Sequence, residues 1–149
     1  MRVVTSTNFC SVCLEGLWLS LLKRVSLIDD FSVTLPVGDI TSEEPAILQV
    51  TLVPFGELRQ CATGVHTEVY TIEWEKDGVL LPQFTNSTEI RTNESVYGTW
   101  RVFVQLHAVE VKVDPDRLLE SCAEVHVGSG SDSPSFVAPD AVILRRECG

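Results

Sequence analysis

Trp100, Val102, Val104 and Leu106 alternate with Arg101, Phe103 and Gln105, and a two-residue period places the first set on one face of an extended backbone and the second on the other. Residues 97–107 therefore read as a half-buried strand. Beyond His107, Val109, Val111 and Val113 alternate with Glu110, Lys112 and Asp114. This predicts that the apolar face continues past a bend, bulge or sheet switch near His107 and Ala108. Val69 to Glu75 is a second amphipathic strand, with Ile72 and Trp74 directed at the same core. Ser32 to Leu35, Ala46 to Val53 and Cys122 to Val127 alternate in the same way, and Pro36, Gly38 and Pro54 punctuate the first two. Before them the period changes. Cys10, Cys13, Leu14, Leu17, Trp18, Leu21, Leu22 and Val25 recur at spacings of three and four, which predicts a helix over 5–25 capped by Thr7 or Asn8. The expected fold is mainly β: an antiparallel β-sandwich preceded by one N-terminal amphipathic helix.

Thr71 to Leu81 is the most specific local pattern, a strand, a tight Asp77-Gly78 turn and a returning strand. A tryptophan on such a strand, followed by Lys76-Asp77-Gly78, resembles the third strand and hairpin of immunoglobulin-like domains. The expected organisation is a helix over 1–30, an immunoglobulin-like sandwich over 31–127, and a flexible linker and tail over 128–149. In antibody-type domains a disulfide accompanies that tryptophan, and the resemblance makes Cys61 and Cys122 the candidate pair.

A chain of 149 residues that is 44% hydrophobic can bury one ordinary core. The net charge of −10, from 21 acidic against 11 basic residues, argues against nucleic acid or an anionic membrane surface as partner, since both require a basic patch. No apolar run reaches the roughly 18 residues of a membrane span. Met1 to Leu22 is not read as a signal peptide, because Glu15 interrupts it, Lys23 and Arg24 follow it, and no small-residue cleavage site is evident.

Five cysteines is an odd number, so at least one is not in an intrachain disulfide. Cys10 and Cys13 form a C-x-x-C pair without the second ligand pair of a zinc ribbon or the βαβ context of a redox motif. The expected role of the pair is structural, buried or disulfide-bonded, with metal and redox roles as alternatives. His66, His107 and His126 are isolated in sequence; His107 and His126, with Glu110 or Glu124, form a minor candidate metal set across a sheet. No H-E-x-x-H, G-x-S-x-G or phosphate-cradling loop is present. The expectation is therefore no catalytic residue and no cofactor in this chain. Asn86-Ser87-Thr88 and Asn93-Glu94-Ser95 are glycosylation acceptor patterns in one polar connection, placing Asn86 and Asn93 as candidate modification sites.

Met1-Arg2, followed by Asn8-Phe9-Cys10-Ser11-Val12-Cys13-Leu14-Glu15-Gly16-Leu17, resembles the end of the catalytic domain in the IgA peptidase family of secreted zinc metallopeptidases. The resemblance covers about the first 25 residues. It implies that Met1 corresponds to the methionine beneath the zinc site and that zinc belongs to a parent protein with its ligands upstream of Met1. It also implies that the helix is a remnant of the catalytic domain and that the parent is extracellular. The sandwich is then a non-catalytic accessory region, with the catalytic domain, or a second copy docking through residues 9–25, as its protein partner. The alternative is a free-standing immunoglobulin-like adhesion or ligand-binding module whose helix covers its own core. The two differ in whether the helix is left exposed or is buried by the sandwich.

Overall fold

The computed structural model describes residues 10–35, 45–55, 69–93, 96–128 and 142–144. In chain order these form helix α1 (Ser11–Leu22) and strands β1 (Ile28–Thr34), β2 (Ala46–Leu52), β3 (Val69–Lys76), β4 (Val79–Leu80), β5 (Glu89–Thr92), β6 (Gly98–His107), β7 (Glu120–Val127) and β8 (Val142–Leu144). They make a mainly β protein with two antiparallel sheets, ordered β1-β2-β5 and β4-β3-β6-β7-β8.

Both sheets bury alternate residues in a common core. Leu48, Val50 and Ile90 come from the smaller sheet, and Ile72, Trp74, Val102, Val104, Leu106 and Val125 from the larger. Phe31 of β1 meets the Trp74 ring edge-on, with centroids 5.7 Å apart, in the arrangement that aligns ring edge with π face. The Trp74 indole N–H donates to the Ser87 carbonyl at 2.8 Å, so its burial leaves no polar atom unsatisfied. The Tyr70 hydroxyl ties β3 to the residue that follows β2 by donating to the Val53 carbonyl at 2.7 Å.

The Asp77-Gly78 turn forms where the sequence places it. Lys76 pairs with Val79, and Asp77 and Gly78 both have positive φ, 50° and 83°, the requirement of a type I′ hairpin. The turn is also bound to the start of β6: Asp77 N–H donates to the Thr99 carbonyl and the Asp77 carboxylate accepts from the Thr99 N–H, both at 2.8 Å. Gly98 has φ 122°, and a Cβ there would lie 2.5 Å from the Asp77 carboxylate. Only glycine fits that approach.

Helix α1 is shorter than its pattern predicts and begins at Ser11, with Cys10 rather than Thr7 or Asn8 as its N-cap. Ile28 opens β1, so this strand crosses the boundary expected at residue 30. Val53 N–H donates to the Leu27 carbonyl, which draws that backbone into the sheet. Trp18 and Leu22 are buried in the common core, with Leu14 and Leu21 packed against it. The Trp18 ring stands edge-on to Phe55 at 6.0 Å.

Residues 108–113 do not continue β6. The strand ends at His107, and Val109 is 81% exposed. The Lys112 and Val113 N–H groups donate instead to the Glu15 carboxylate, at 2.7 and 3.0 Å. The connection after Phe84 contains an unexpected strand, β5, which pairs with β2 through Ile90 opposite Leu48. Part of the expected flexible tail is also a strand: β8 lies along β7, covering an edge that would otherwise present unpaired backbone groups.

Candidate functional site

The outer face of the larger sheet carries its polar side chains in rows set by strand register. Glu75 lies opposite Arg101, which lies opposite Glu124; Glu73 opposite Phe103 and then Cys122; Thr71 opposite Gln105 and then Glu120. Each residue comes from the non-core phase of a strand whose other phase is buried, so the same alternation that builds the core also displays this face.

Arg101 is clamped from both sides, its Nε donating to Glu124 and a terminal nitrogen to Glu75 at 3.1 Å. The Glu124 carboxylate, by hydrogen bond and by charge, and Glu75 more weakly, raise the guanidinium pKa. Two acids against one base leave this row net negative. Below it, Thr71, Glu73, Phe103, Gln105, Arg117 and Glu120 line a depression of about 200 Å³. Arg117 is held at its rim by a 2.6 Å ion pair with Glu120. The Asp114 carboxylate secures the adjoining loop by accepting from the Leu118 and Leu119 N–H groups at 2.9 and 2.7 Å. An aromatic ring among carboxylates suits a cationic group, which gains from both the ring's π face and the acids.

The structure separates the two histidines of the candidate metal set. His107 ends β6 and shares a 2.8 Å hydrogen bond with Thr71, whereas His126 lies opposite Thr99 at the other end of the strand and bonds it at 3.2 Å. Eight residues of extended chain put them about 27 Å apart. Among the described residues no group of three or more His, Cys, Asp or Glu side chains is placed to hold a metal ion. Glu124 is engaged by Arg101.

Cys122 is half-buried on β7 opposite Phe103; Cys61 and Met1 lie outside the described residues. Cys10 and Cys13 are exposed, with their sulfurs 2.6 Å apart at the start of α1. Asn86 is exposed in a left-handed turn at φ 62°, and its side-chain oxygen accepts from the Ile72 N–H at 3.1 Å. Asn93 is exposed just after β5. Among the described residues no helix is long and apolar enough to cross a membrane. No family model, curated protein or solved structure matches this chain.

Sequence reasoning missed the role of Glu15 in tying α1 to the loop after β6. Its carboxylate is held below the usual range by the Lys112 N–H first and the Val113 N–H second. A carboxyl with a lowered folded-state pKa contributes stability at pH values above its unfolded value, about 4.3 for glutamate, and loses it as pH falls through the folded value. Glu15→Gln should therefore melt below wild type at neutral pH, with the two melting temperatures converging as pH falls below about 4. Thermal melts of both proteins across an acid series check this; a constant gap would separate the effect from titration.

Proposed function

We propose that this chain is a non-catalytic, immunoglobulin-like binding module that holds a cationic protein segment on the outer face of its larger sheet. Strands one, two and five on one sheet and three, six and seven on the other match the allocation of A, B, E and C, F, G in immunoglobulin-like sandwiches. Two further features support that reading. Trp74 is fully buried on the third strand. At the start of the sixth, the Trp100 indole N–H donates to the Val96 carbonyl at 2.7 Å, a link of the kind a tyrosine corner makes at the same place.

The observation that carries the binding role is Phe103 set beside Glu73 and Gln105 in one depression, whose second acid, Glu120, is paired with Arg117 and leaves Glu73 as the carboxylate for the cation. The chain's charge of −10 adds long-range attraction for a basic partner. Titration with a lysine-rich decapeptide, followed by backbone amide shifts, should perturb β3 and β6 first and weaken as salt is raised. Phe103→Ala and Glu73→Gln should each reduce affinity about two- to fivefold, in keeping with about 0.5–1 kcal/mol for a cation–π or exposed ion-pair contact. Shifts centred elsewhere, or undiminished binding by Phe103→Ala, would remove this face as the site.

A second reading places the same module after the catalytic domain of a secreted zinc metallopeptidase. Val12 and Leu17 favour it, since they stay 74% and 55% exposed on the side of α1 away from the core. Self-association of the isolated chain, relieved by Leu17→Lys in size-exclusion chromatography, would support this reading. A monomer at high concentration would leave the helix as the module's own cover.

A further inference from the structure

Cys10 and Cys13 lie in the first turn of a twelve-residue helix. Cys10 is the N-cap: its backbone is extended, its carbonyl accepts from the Leu14 N–H at 2.9 Å, and its sulfur accepts from the Cys13 N–H at 3.2 Å. The Cys13 side chain comes back over the cap, and the two sulfurs meet at 2.6 Å. Both residues are exposed, and the first turn contains no acidic residue. The structure thus has a preformed pair of accessible thiols at a positive helix end, close to the separation at which a sulfur–sulfur bond forms, about 2.05 Å.

We propose that Cys10 and Cys13 are a reversible dithiol–disulfide couple, with Cys10 the attacking sulfur and Cys13 the resolving one, that exchanges with low-molecular-weight disulfides. The asymmetry follows from position. The Cys10 sulfur receives the Cys13 N–H and lies at the helix end, where the backbone dipole favours a thiolate. Cys13 is the third helical residue, still in the first turn but facing the charge of its neighbour. In agreement, the Cys10 thiol is shifted below its ordinary value, by the Cys13 thiol first and the Cys13 N–H second, and the Cys13 thiol is shifted above it by Cys10.

The Cys10 thiolate attacks one sulfur of the small disulfide, forming a mixed disulfide and expelling one thiolate. That thiolate, or water, takes the Cys13 proton. The Cys13 thiolate then attacks the Cys10 sulfur, the second small thiolate leaves and takes up from solvent the proton that Cys10 released on ionising, and an intramolecular disulfide remains. Two electrons pass from the protein dithiol to the small disulfide, which is reduced to two thiols. The reverse sequence restores the pair.

The test uses the full chain, equilibrated across a series of reduced-to-oxidised glutathione ratios, quenched with alkylating reagent and mapped by peptide mass. The Cys10–Cys13 peptide should lose two hydrogens and resist alkylation at the oxidising end, and become doubly alkylated at the reducing end, through one two-electron transition. Cys13→Ser should accumulate glutathione on Cys10. Cys10→Ser should react with oxidised glutathione at least tenfold more slowly at Cys13. Failure to form the internal disulfide, or a disulfide that stays closed throughout, would overturn the proposal. So would Cys13 reacting as fast in Cys10→Ser as Cys10 does in Cys13→Ser. Unchanged decapeptide binding by both variants would keep this result separate from the sheet face.

Discussion

Trp74→Ala is expected to lower the unfolding free energy by about 3–5 kcal/mol, the usual cost of truncating a buried large aromatic. The side chain is fully buried between the sheets, edge-on to Phe31 and opposite Val102 on β6. Its removal opens a cavity bordered by both sheets and leaves the Ser87 carbonyl without the indole N–H. Domains of this size are stable by about 5–15 kcal/mol, so the variant should unfold at a much lower denaturant concentration. Trp74→Phe separates the two contributions, because it keeps a ring but removes the donor. Urea denaturation monitored by far-ultraviolet circular dichroism gives both values. A loss under about 1 kcal/mol for Trp74→Ala would mean that Trp74 does not join the sheets.

Trp18→Ala should be nearly as damaging, at about 3 kcal/mol, because α1 is part of the same core. Trp18 is buried against Phe55 and Leu22 lies below it, while Leu17 points away. Leu17→Lys should stay within about 0.5 kcal/mol of wild type, as exposed substitutions usually do. Denaturation of the two variants under one set of conditions provides the comparison. A neutral Trp18→Ala, with helical amides exchanging faster than those of β3 and β6, would show that the helix only rests on the sheets. The expected contrast bears on function: a helix required for the stability of the sheets belongs to this domain, and only its outer flank is left for an upstream neighbour.

Within one strand, side-chain alternation was decisive. Trp100, Val102, Val104 and Leu106 point inward because extended backbone leaves them no other common face, and Asp77-Gly78 turns because both residues tolerate positive φ. These local rules made the strands β2, β3, β6 and β7, the hairpin and the existence of a helix legible from the amino acids. They also identified Trp74 as a core residue. β5 was not legible, since Ile90 is the single large aliphatic residue in Glu89–Thr92 and one apolar position has no period. Its strand conformation comes from pairing with β2. Residues 108–113 erred in the opposite direction: Val109, Val111 and Val113 carry a strand period, yet β6 ends at His107 and two of the N–H groups beyond it go to Glu15, nearly a hundred residues away in sequence.

The candidate sites divide along the same line. The C-x-x-C pair was visible as a motif because its spacing is local, but the exposure of both thiols and their contact depended on where the helix began and which side it buried. The outer face was visible only as scattered Glu, Arg and Phe residues. Register between β3, β6 and β7 brought Glu75, Arg101 and Glu124 into one row and Phe103 beside Glu73, and placed His107 and His126 at opposite ends of a strand. Sequence alone determined which side chains share a face within β2, β3, β6 and β7, because that follows from backbone geometry over two residues. Tertiary structure decided which strands lie side by side and what covers the helix, because hydrogen-bond partners and burial are chosen between segments far apart in the chain.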